Sequence, residues 1–332
     1  MKIVCYGVRS NETAYFEKLN KYNFDLKLVP EFLTHENVNE AEGMDAVLVR
    51  GNCVCDRQNL QKFHDFGIKY MFTRSVGVNH IDLVAAKDLD LLVARVPNYS
   101  PFAVAELALS LGMNLYRHLN VDIVRTTSGN FKVLPDVFSG EIHNATVGIV
   151  GTGRIGATEA KLYKGLGAKV LGYDPYPSEY AKQYVEFTDL DNLLSQSDIV
   201  SVHVPYFPGQ NDNLINADFL SKMKASGILI NTARGELADT KAIISAIKND
   251  DIQSYGADVT MDESNIMGHE FSSLSDVPNQ DVRELVGLYP KVLITPHVGS
   301  FTEPALEDMI SISFDNFHET VETGTNKNIV TK

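Results

Sequence analysis

The residues most able to do chemistry in this chain begin at Gly151-Thr152-Gly153-Arg154-Ile155-Gly156. An apolar run, Val147 to Val150, precedes them and a helix-compatible stretch follows. A second apolar run, Lys169 to Tyr173, ends in Asp174. Glycines in this spacing between strand and helix permit a tight turn (Gly151), close approach of backbone to a diphosphate (Gly153) and close helix–strand packing (Gly156). The diphosphate would rest on the helix N-terminus around Arg154 and Ile155, where free N–H groups favour negative charge. Asp174 would accept hydrogen bonds from an adenosine ribose and repel a 2′-phosphate, which points to NAD rather than NADP. The bland alternative is a glycine turn in an ordinary βαβ unit.

Other polar residues stand just after apolar runs, where open α/β sheets bind their ligands. They are Arg50-Gly51-Asn52, Ser75-Val76-Gly77, Asn98-Tyr99, His203, Thr232-Ala233-Arg234, Asp258 and Thr295-Pro296-His297. Arg234 can grip a carboxylate with two parallel hydrogen bonds. His297 is suited to exchange a proton with a carbonyl/alcohol pair. Glu263, five residues past Asp258, could sit beside His297 and favour its charged form. Each alone reads equally as a surface ion pair, a satisfied histidine or a solvated loop. Together, each at a strand end, they describe a site.

The elements that must position them follow a βα alternation. Apolar runs at Ile3–Tyr6, 26–29, 46–49, 70–73 and 91–93 predict a five-stranded parallel sheet with helices on both faces. Runs at 147–150, 170–172, 199–202, 228–231, 255–258 and 292–294 predict a six-stranded dinucleotide-binding sheet. Between them Asn98-Tyr99-Ser100-Pro101 breaks the alternation and opens a helix predicted over 101–118, with Ser100 as N-cap and Pro101 in its first turn. A last helix is predicted from Glu303 to about Thr323, apolar at Leu306, Met309, Ile310, Ile312, Phe314 and Phe317. It would return to the first unit, giving discontinuous domains: 1–100 plus 299–332, and 101–298. Two sheets facing each other would bring their strand ends into one cleft.

Composition narrows the class. A chain of 332 residues suggests two domains. The net charge of −14 leaves no basic footprint for nucleic acid. No apolar run is long enough to span a membrane. The start, Met1-Lys2-Ile3-Val4-Cys5-Tyr6, reads as a strand rather than a signal peptide. The three cysteines, Cys5, Cys53 and Cys55, fit a reducing, cytoplasmic setting. Cys53-Val54-Cys55 has no nearby partner to complete a metal site, so no metal is expected.

These motifs resemble the D-specific (R-specific) 2-hydroxyacid dehydrogenases over nearly the whole chain. The matching segments are Val96-Pro97-Asn98-Tyr99-Ser100-Pro101 with Ala105-Glu106, the glycine motif with Asp174, and His203-Val204-Pro205. Asn231-Thr232-Ala233-Arg234-Gly235, Asp258 with Glu263, and Thr295-Pro296-His297 complete the set. The resemblance implies two doubly wound α/β domains, a flavodoxin-like substrate domain and a Rossmann NAD domain with a cleft between them. It implies that Arg234 binds the substrate carboxylate and polarises the keto group, that His297 is the general acid/base, and that Glu263 tunes it. Tyr99 would help hold the substrate, and amides around Val76 and Gly77 would bind its carboxylate. Asp258 would contact the nicotinamide carboxamide, with Val204, Pro205, Thr232 and Ala233 also lining the cofactor site.

Two departures stand out. The loop Gly77-Val78-Asn79-His80-Ile81-Asp82 lacks the usual acidic residue followed by Asn. Ser300 replaces an aromatic three residues past His297, which suggests a roomier pocket. Cys5-Tyr6-Gly7-Val8-Arg9, Arg50-Gly51-Asn52-Cys53 and His297-Val298-Gly299-Ser300-Phe301-Thr302 look like the R-2-hydroxyglutarate dehydrogenases, in which an Arg at the Arg50 position is associated with the second carboxylate of the substrate. The implied activity is reversible hydride transfer between NADH and a 2-oxo acid, possibly 2-oxoglutarate. A D-lactate or D-2-hydroxyisocaproate type of broad range is the alternative. Formate or glycerate oxidation and a non-enzymatic NAD-binding regulator are remoter ones. The helix from Pro101 resembles the family's dimerisation element, so a homodimer is expected.

Overall fold

A computed structural model of the protein describes residues 1–331 and divides into two compact units. Residues 1–100 and the segment from Phe301 form the first; Pro101–Ser300 form the second. The return to the first unit therefore falls at Phe301 rather than at residue 299.

The first unit is built on β1 (Lys2–Tyr6), β2 (Asp25–Val29), β3 (Ala46–Val49) and β4 (Tyr70–Thr73), all parallel in the order β2-β1-β3-β4. Successive residues point to opposite faces, and both faces are covered. Val4, Tyr6, Val47 and Val49 pack with Leu60, Phe63 and Ala85 on one side. Ile3, Cys5, Ala46 and Leu48 pack with Phe16, Phe314 and Phe317 on the other. The last two belong to the helix Glu303–Thr323, which closes that layer. Phe317 stacks on Phe72 at 4.3 Å, and Phe314 meets Phe16 edge-on at 6.0 Å. Each such fully buried aromatic contributes about 1.5–3 kcal/mol.

The predicted fifth strand is a correction. Residues 91–95 run beside β4 through isolated bridges, Leu92 opposite Tyr70 and Arg95 opposite Thr73, with backbone hydrogen bonds from Met71 and Thr73, and form no continuous strand. The other edge of this short segment is shared with the C-terminal stretch, Ala94 lying opposite Ile329.

The second unit carries β5 (Thr146–Val150), β6 (Lys169–Tyr173), β7 (Glu186–Phe187), β8 (Ile199–Val202), β9 (Ile228–Asn231), β10 (Ser254–Ala257) and β11 (Val292–Ile294). All are parallel, in the order β11-β10-β9-β8-β5-β6-β7. This is the Rossmann order extended by one strand, with the direction of winding reversing between β5 and β8. The sheet has seven strands where six were expected, because β7 is only two residues long and leaves no periodic signal. The helix Pro101–Tyr116 packs on the helix Arg154–Gly165. A Cβ at Gly112 would stand 2.4 Å from the Tyr163 hydroxyl, so only glycine allows that approach. No helix among the described residues is long and apolar enough to cross a membrane.

Candidate active site

In the second unit the turn after β5 has the geometry that its glycines imply. Gly151 has φ +90°, and a Cβ there would lie 2.9 Å from the backbone of His203 and Val204. A Cβ at Gly156 would lie 2.1 Å from the Gly151 carbonyl, which fixes how closely the helix Arg154–Gly165 meets the turn. Gly153 caps that helix without a side chain, and the space where its Cβ would project is open. The first helical N–H groups are thus left for an anion. Asp174 is held in place rather than loose: Oδ2 accepts from the Thr152 N–H at 2.8 Å and hydroxyl at 3.1 Å, and Oδ1 accepts from the Tyr176 N–H at 2.8 Å. The buried Thr232 hydroxyl has no partner among the described residues. An open helix terminus, an anchored carboxylate and an unused buried hydroxyl fit a dinucleotide.

His203 lies differently from the other expected cofactor residues. Its imidazole turns inward and meets Glu159 at 2.5 Å and Ser201 at 3.1 Å, with almost no exposure. Only its backbone, with Val204, borders the glycine turn. Pro205 contributes its carbonyl to Asn211 at 2.8 Å.

The C-terminal ends of β9, β10 and β11 bring Arg234, Asp258, Glu263 and His297 into one electrostatic group. Buried Asn231, at the end of β9, accepts from the Ala233 N–H at 3.0 Å and donates to the Arg234 carbonyl at 2.9 Å. That fixes the turn carrying Arg234. A Cβ at Gly235 would lie 2.0 Å from the Thr260 carbonyl, so this turn packs tightly on the loop after β10.

His297 stands at φ +52°, a left-handed conformation that is uncommon for a residue with a side chain. Asp258 holds the chain on both sides of it. One carboxylate oxygen accepts from the Thr295 hydroxyl at 2.5 Å and the Val298 N–H at 2.9 Å; the other accepts from the Gly299 N–H at 2.7 Å. These bonds occupy most of the acceptor capacity of Asp258, so positioning His297 is its visible task. Burial pushes the Asp258 carboxyl upward against the pull of these bonds and of the His297 charge.

Glu263 is hydrogen-bonded to His297 Nδ1. Burial opposes a charge on His297, but the Glu263 bond and the charges of Glu263 and Asp258 outweigh burial and the opposing Arg234, and the imidazole is raised above its ordinary value. With Nδ1–H given to Glu263, Nε2 is the nitrogen left to carry a transferable proton. Glu263 therefore sits where the sequence reading expected it.

In the first unit, Arg50 follows β3, and Val76 and Gly77 follow β4. Three residues that sequence reasoning gave no role join Arg50 there. Buried Glu12 accepts from Arg74 Nη2 at 2.8 Å and from Arg9 Nη1 at 3.2 Å, and lies 4.0 Å from Arg50 Nη1. Three guanidinium groups thus share one carboxylate. Glu12 lies in a polar, helix-compatible stretch between β1 and β2, so nothing in its neighbours marked it. Tyr99 and Ser300 are both half-buried, in the first and second unit respectively.

A family model described as D-isomer specific 2-hydroxyacid dehydrogenase, NAD binding domain, matches residues 109–299. An aromatic 2-oxoacid reductase of Clostridium sporogenes is 35% identical over 330 residues, covering 99% of this chain and 98% of that one. A D-lactate dehydrogenase of Lactiplantibacillus plantarum is 35% identical over 329 residues, covering 98% and 97%. The NAD-complexed D-isomer specific 2-hydroxyacid dehydrogenase of Lactobacillus delbrueckii ssp. bulgaricus superposes with a TM-score of 0.87 at 35% identity, covering 99% of this chain and 100% of that one. A glycine turn shaped for a dinucleotide and a histidine–carboxylate pair shaped for proton exchange are what a hydride-transferring enzyme requires, and similarity runs the length of the chain. The chain belongs to the D-isomer specific 2-hydroxyacid dehydrogenase family, NAD-dependent oxidoreductases acting on the CH–OH group of D-2-hydroxy acids.

Proposed function

We propose that this dehydrogenase acts on a dicarboxylic substrate, reducing 2-oxoglutarate to R-2-hydroxyglutarate. The observation that carries this reading is the cluster of Arg9, Arg50 and Arg74 around the single carboxylate of Glu12. Arg74 neutralises Glu12 and leaves Arg9 and Arg50 in excess. Burial, then the charges of Arg74 and Arg9, push the Arg50 guanidinium down to about 10. It stays charged at neutral pH, yet its charge is costly enough to favour an incoming anion. A second carboxylate supplies that anion; the methyl of pyruvate does not.

On this reading the Val76 and Gly77 amides and Arg234 take the 1-carboxylate. NAD, when bound, supplies the hydride in reduction and receives it in oxidation. His297 Nε2–H donates its proton to the keto oxygen, Glu263 keeps the imidazole protonated for that step, and Arg234 stabilises the charge developing on the oxygen. The cofactor reading assigns the diphosphate to the turn from Gly151 to Gly156 and the adenosine ribose to Asp174. Comparing kcat/KM for 2-oxoglutarate, oxaloacetate, pyruvate, 2-oxoisocaproate and phenylpyruvate tests the substrate. A preference for pyruvate or phenylpyruvate would instead place the enzyme with the D-lactate dehydrogenases or the aromatic 2-oxoacid reductase among its relatives.

The assembly reading is a homodimer. Residues 119–138 expose Ile123, Val124, Phe131, Val133 and Phe138, with Val133 and Phe138 more than 90% exposed. So large an exposed apolar stretch supports the reading that a second copy covers this surface. Sedimentation equilibrium tests it, and a monomer at micromolar concentration would reject it. A cytoplasmic setting agrees with three cysteines that are all buried free thiols.

A further inference from the structure

The turn after β4 has a built-in support. Both of its carbonyls are tied down: Arg95 Nη1 donates to the Val76 carbonyl at 3.0 Å, and the Ser75 hydroxyl donates to the Gly77 carbonyl at 2.8 Å. The N–H groups of Val76 and Gly77 meet no acceptor among the described residues. With both carbonyls taken, the two successive N–H groups are the unspent polar groups of this turn, and successive free amides can bind an anion.

The proton directions behind this turn follow from its contacts. Ser75 spends its only hydroxyl proton on Gly77. The 2.7 Å contact between Ser75 Oγ and Thr73 Oγ1 must therefore use the Thr73 proton. The 3.2 Å contact between Thr73 Oγ1 and His80 Nε2 must then use a proton on Nε2. The relay runs one way, from His80 Nε2–H through Thr73 and Ser75 to the Gly77 carbonyl. Thr73 is fully buried and His80 half-buried. Burial holds the imidazole down to about 4, so it is neutral through the neutral range and the Nε2–H tautomer is selected by the relay.

We propose that Ser75, backed by Thr73 and His80, is a positioning residue that aims the Val76 and Gly77 amides at the substrate's 1-carboxylate. This rests on the reading that these amides take that carboxylate. His80 stands in the segment where the sequence departs from the usual acidic-then-Asn pattern, and the relay gives that departure a use.

The test compares Ser75→Ala, Ser75→Thr, His80→Ala and Val76→Pro, with KM and kcat measured on the best 2-oxo acid and NADH affinity followed by fluorescence. One lost hydrogen bond of about 1 kcal/mol corresponds to a several-fold change, so Ser75→Ala is expected to raise KM roughly five- to tenfold. Its kcat at saturation and its NADH affinity should hold. Ser75→Thr keeps a hydroxyl and should recover most of the KM, and His80→Ala should give a smaller rise. An unchanged KM in Ser75→Ala, or a loss shared equally by NADH affinity, overturns the proposal. Val76→Pro separates the two layers, because it removes one amide outright. If it raises KM while Ser75→Ala does not, the amides bind the carboxylate without this relay; if both are silent, the carboxylate reading fails and takes the relay with it.

Discussion

Two ionic centres in this protein are built in opposite senses. Around Glu12 in the first unit, three arginines converge on one carboxylate. Around His297 in the second, Glu263 and Asp258 flank one imidazole, with Arg234 as the opposing cation. The first centre is short of negative charge and is suited to attract an anion. The second surrounds a titratable ring with carboxylates and is suited to hold a proton until it is needed. The backbone differs in the same way. Arg50 follows an ordinary buried strand, whereas His297 occupies a left-handed position clamped by Asp258. Charge attraction tolerates approximate placement; proton transfer requires the donor within hydrogen-bond reach, and that justifies a strained backbone.

The largest effect should come from breaking the proton-holding centre. His297→Gln is expected to lower kcat by about 10² to 10⁴ while the protein folds and binds NADH. Turnover like that of the wild type would remove His297 from the mechanism. Breaking the other centre at its anchor should affect stability instead. Glu12→Leu leaves Arg74 buried without its carboxylate, and urea unfolding should show a loss of about 3–5 kcal/mol. No loss would mean that Arg74 finds solvent and that the cluster is not a buried one.

Arg50→Leu removes the guanidinium farthest from Glu12 and leaves the Glu12–Arg74 pair. It should lower kcat/KM for 2-oxoglutarate roughly 10²-fold and spare apolar 2-oxo acids. An equal decline on every substrate would refute a role for Arg50 in substrate choice. Glu263→Gln then sharpens the comparison by pH. The folded-state value of His297 is raised, so the acid needed for reduction persists up to that value and is lost as pH rises through it. Without the Glu263 charge and hydrogen bond this limb should move to lower pH. A pH–rate profile that stays in place would separate Glu263 from His297. The smallest change is expected from Asp174→Ala, a several-fold relaxation of the preference for NADH over NADPH; better use of NADPH by the unaltered enzyme would refute the reading of Asp174.

Much of this was legible in the residues. Ten of the eleven strands could be read as apolar runs, because strands in a doubly covered parallel sheet are apolar on both faces. The exception, β7, is too short to carry a pattern. The run at 91–93 was read as a strand because its composition is right; its edges are divided between β4 and the C-terminal stretch, which composition does not reveal. The glycine turn, Asp174, Arg234, Glu263 and His297 were legible as candidates because ligands in such sheets gather where strands end. His203 occupied such a position too, but the direction of its side chain was decided by Glu159 on a neighbouring helix.

The chain alone thus determined which elements form and which strand ends carry chemistry, since period, punctuation and residue type are local properties. Only the tertiary structure decided how those residues are charged and held. It gave Asp258 a backbone to clamp, placed Arg9 and Arg74 beside Arg50 on Glu12, and ran one line of protons from His80 to Gly77. Each of these depends on groups that only the folded chain brings into contact, 2 to 62 positions apart, and burial sets the strength of each one.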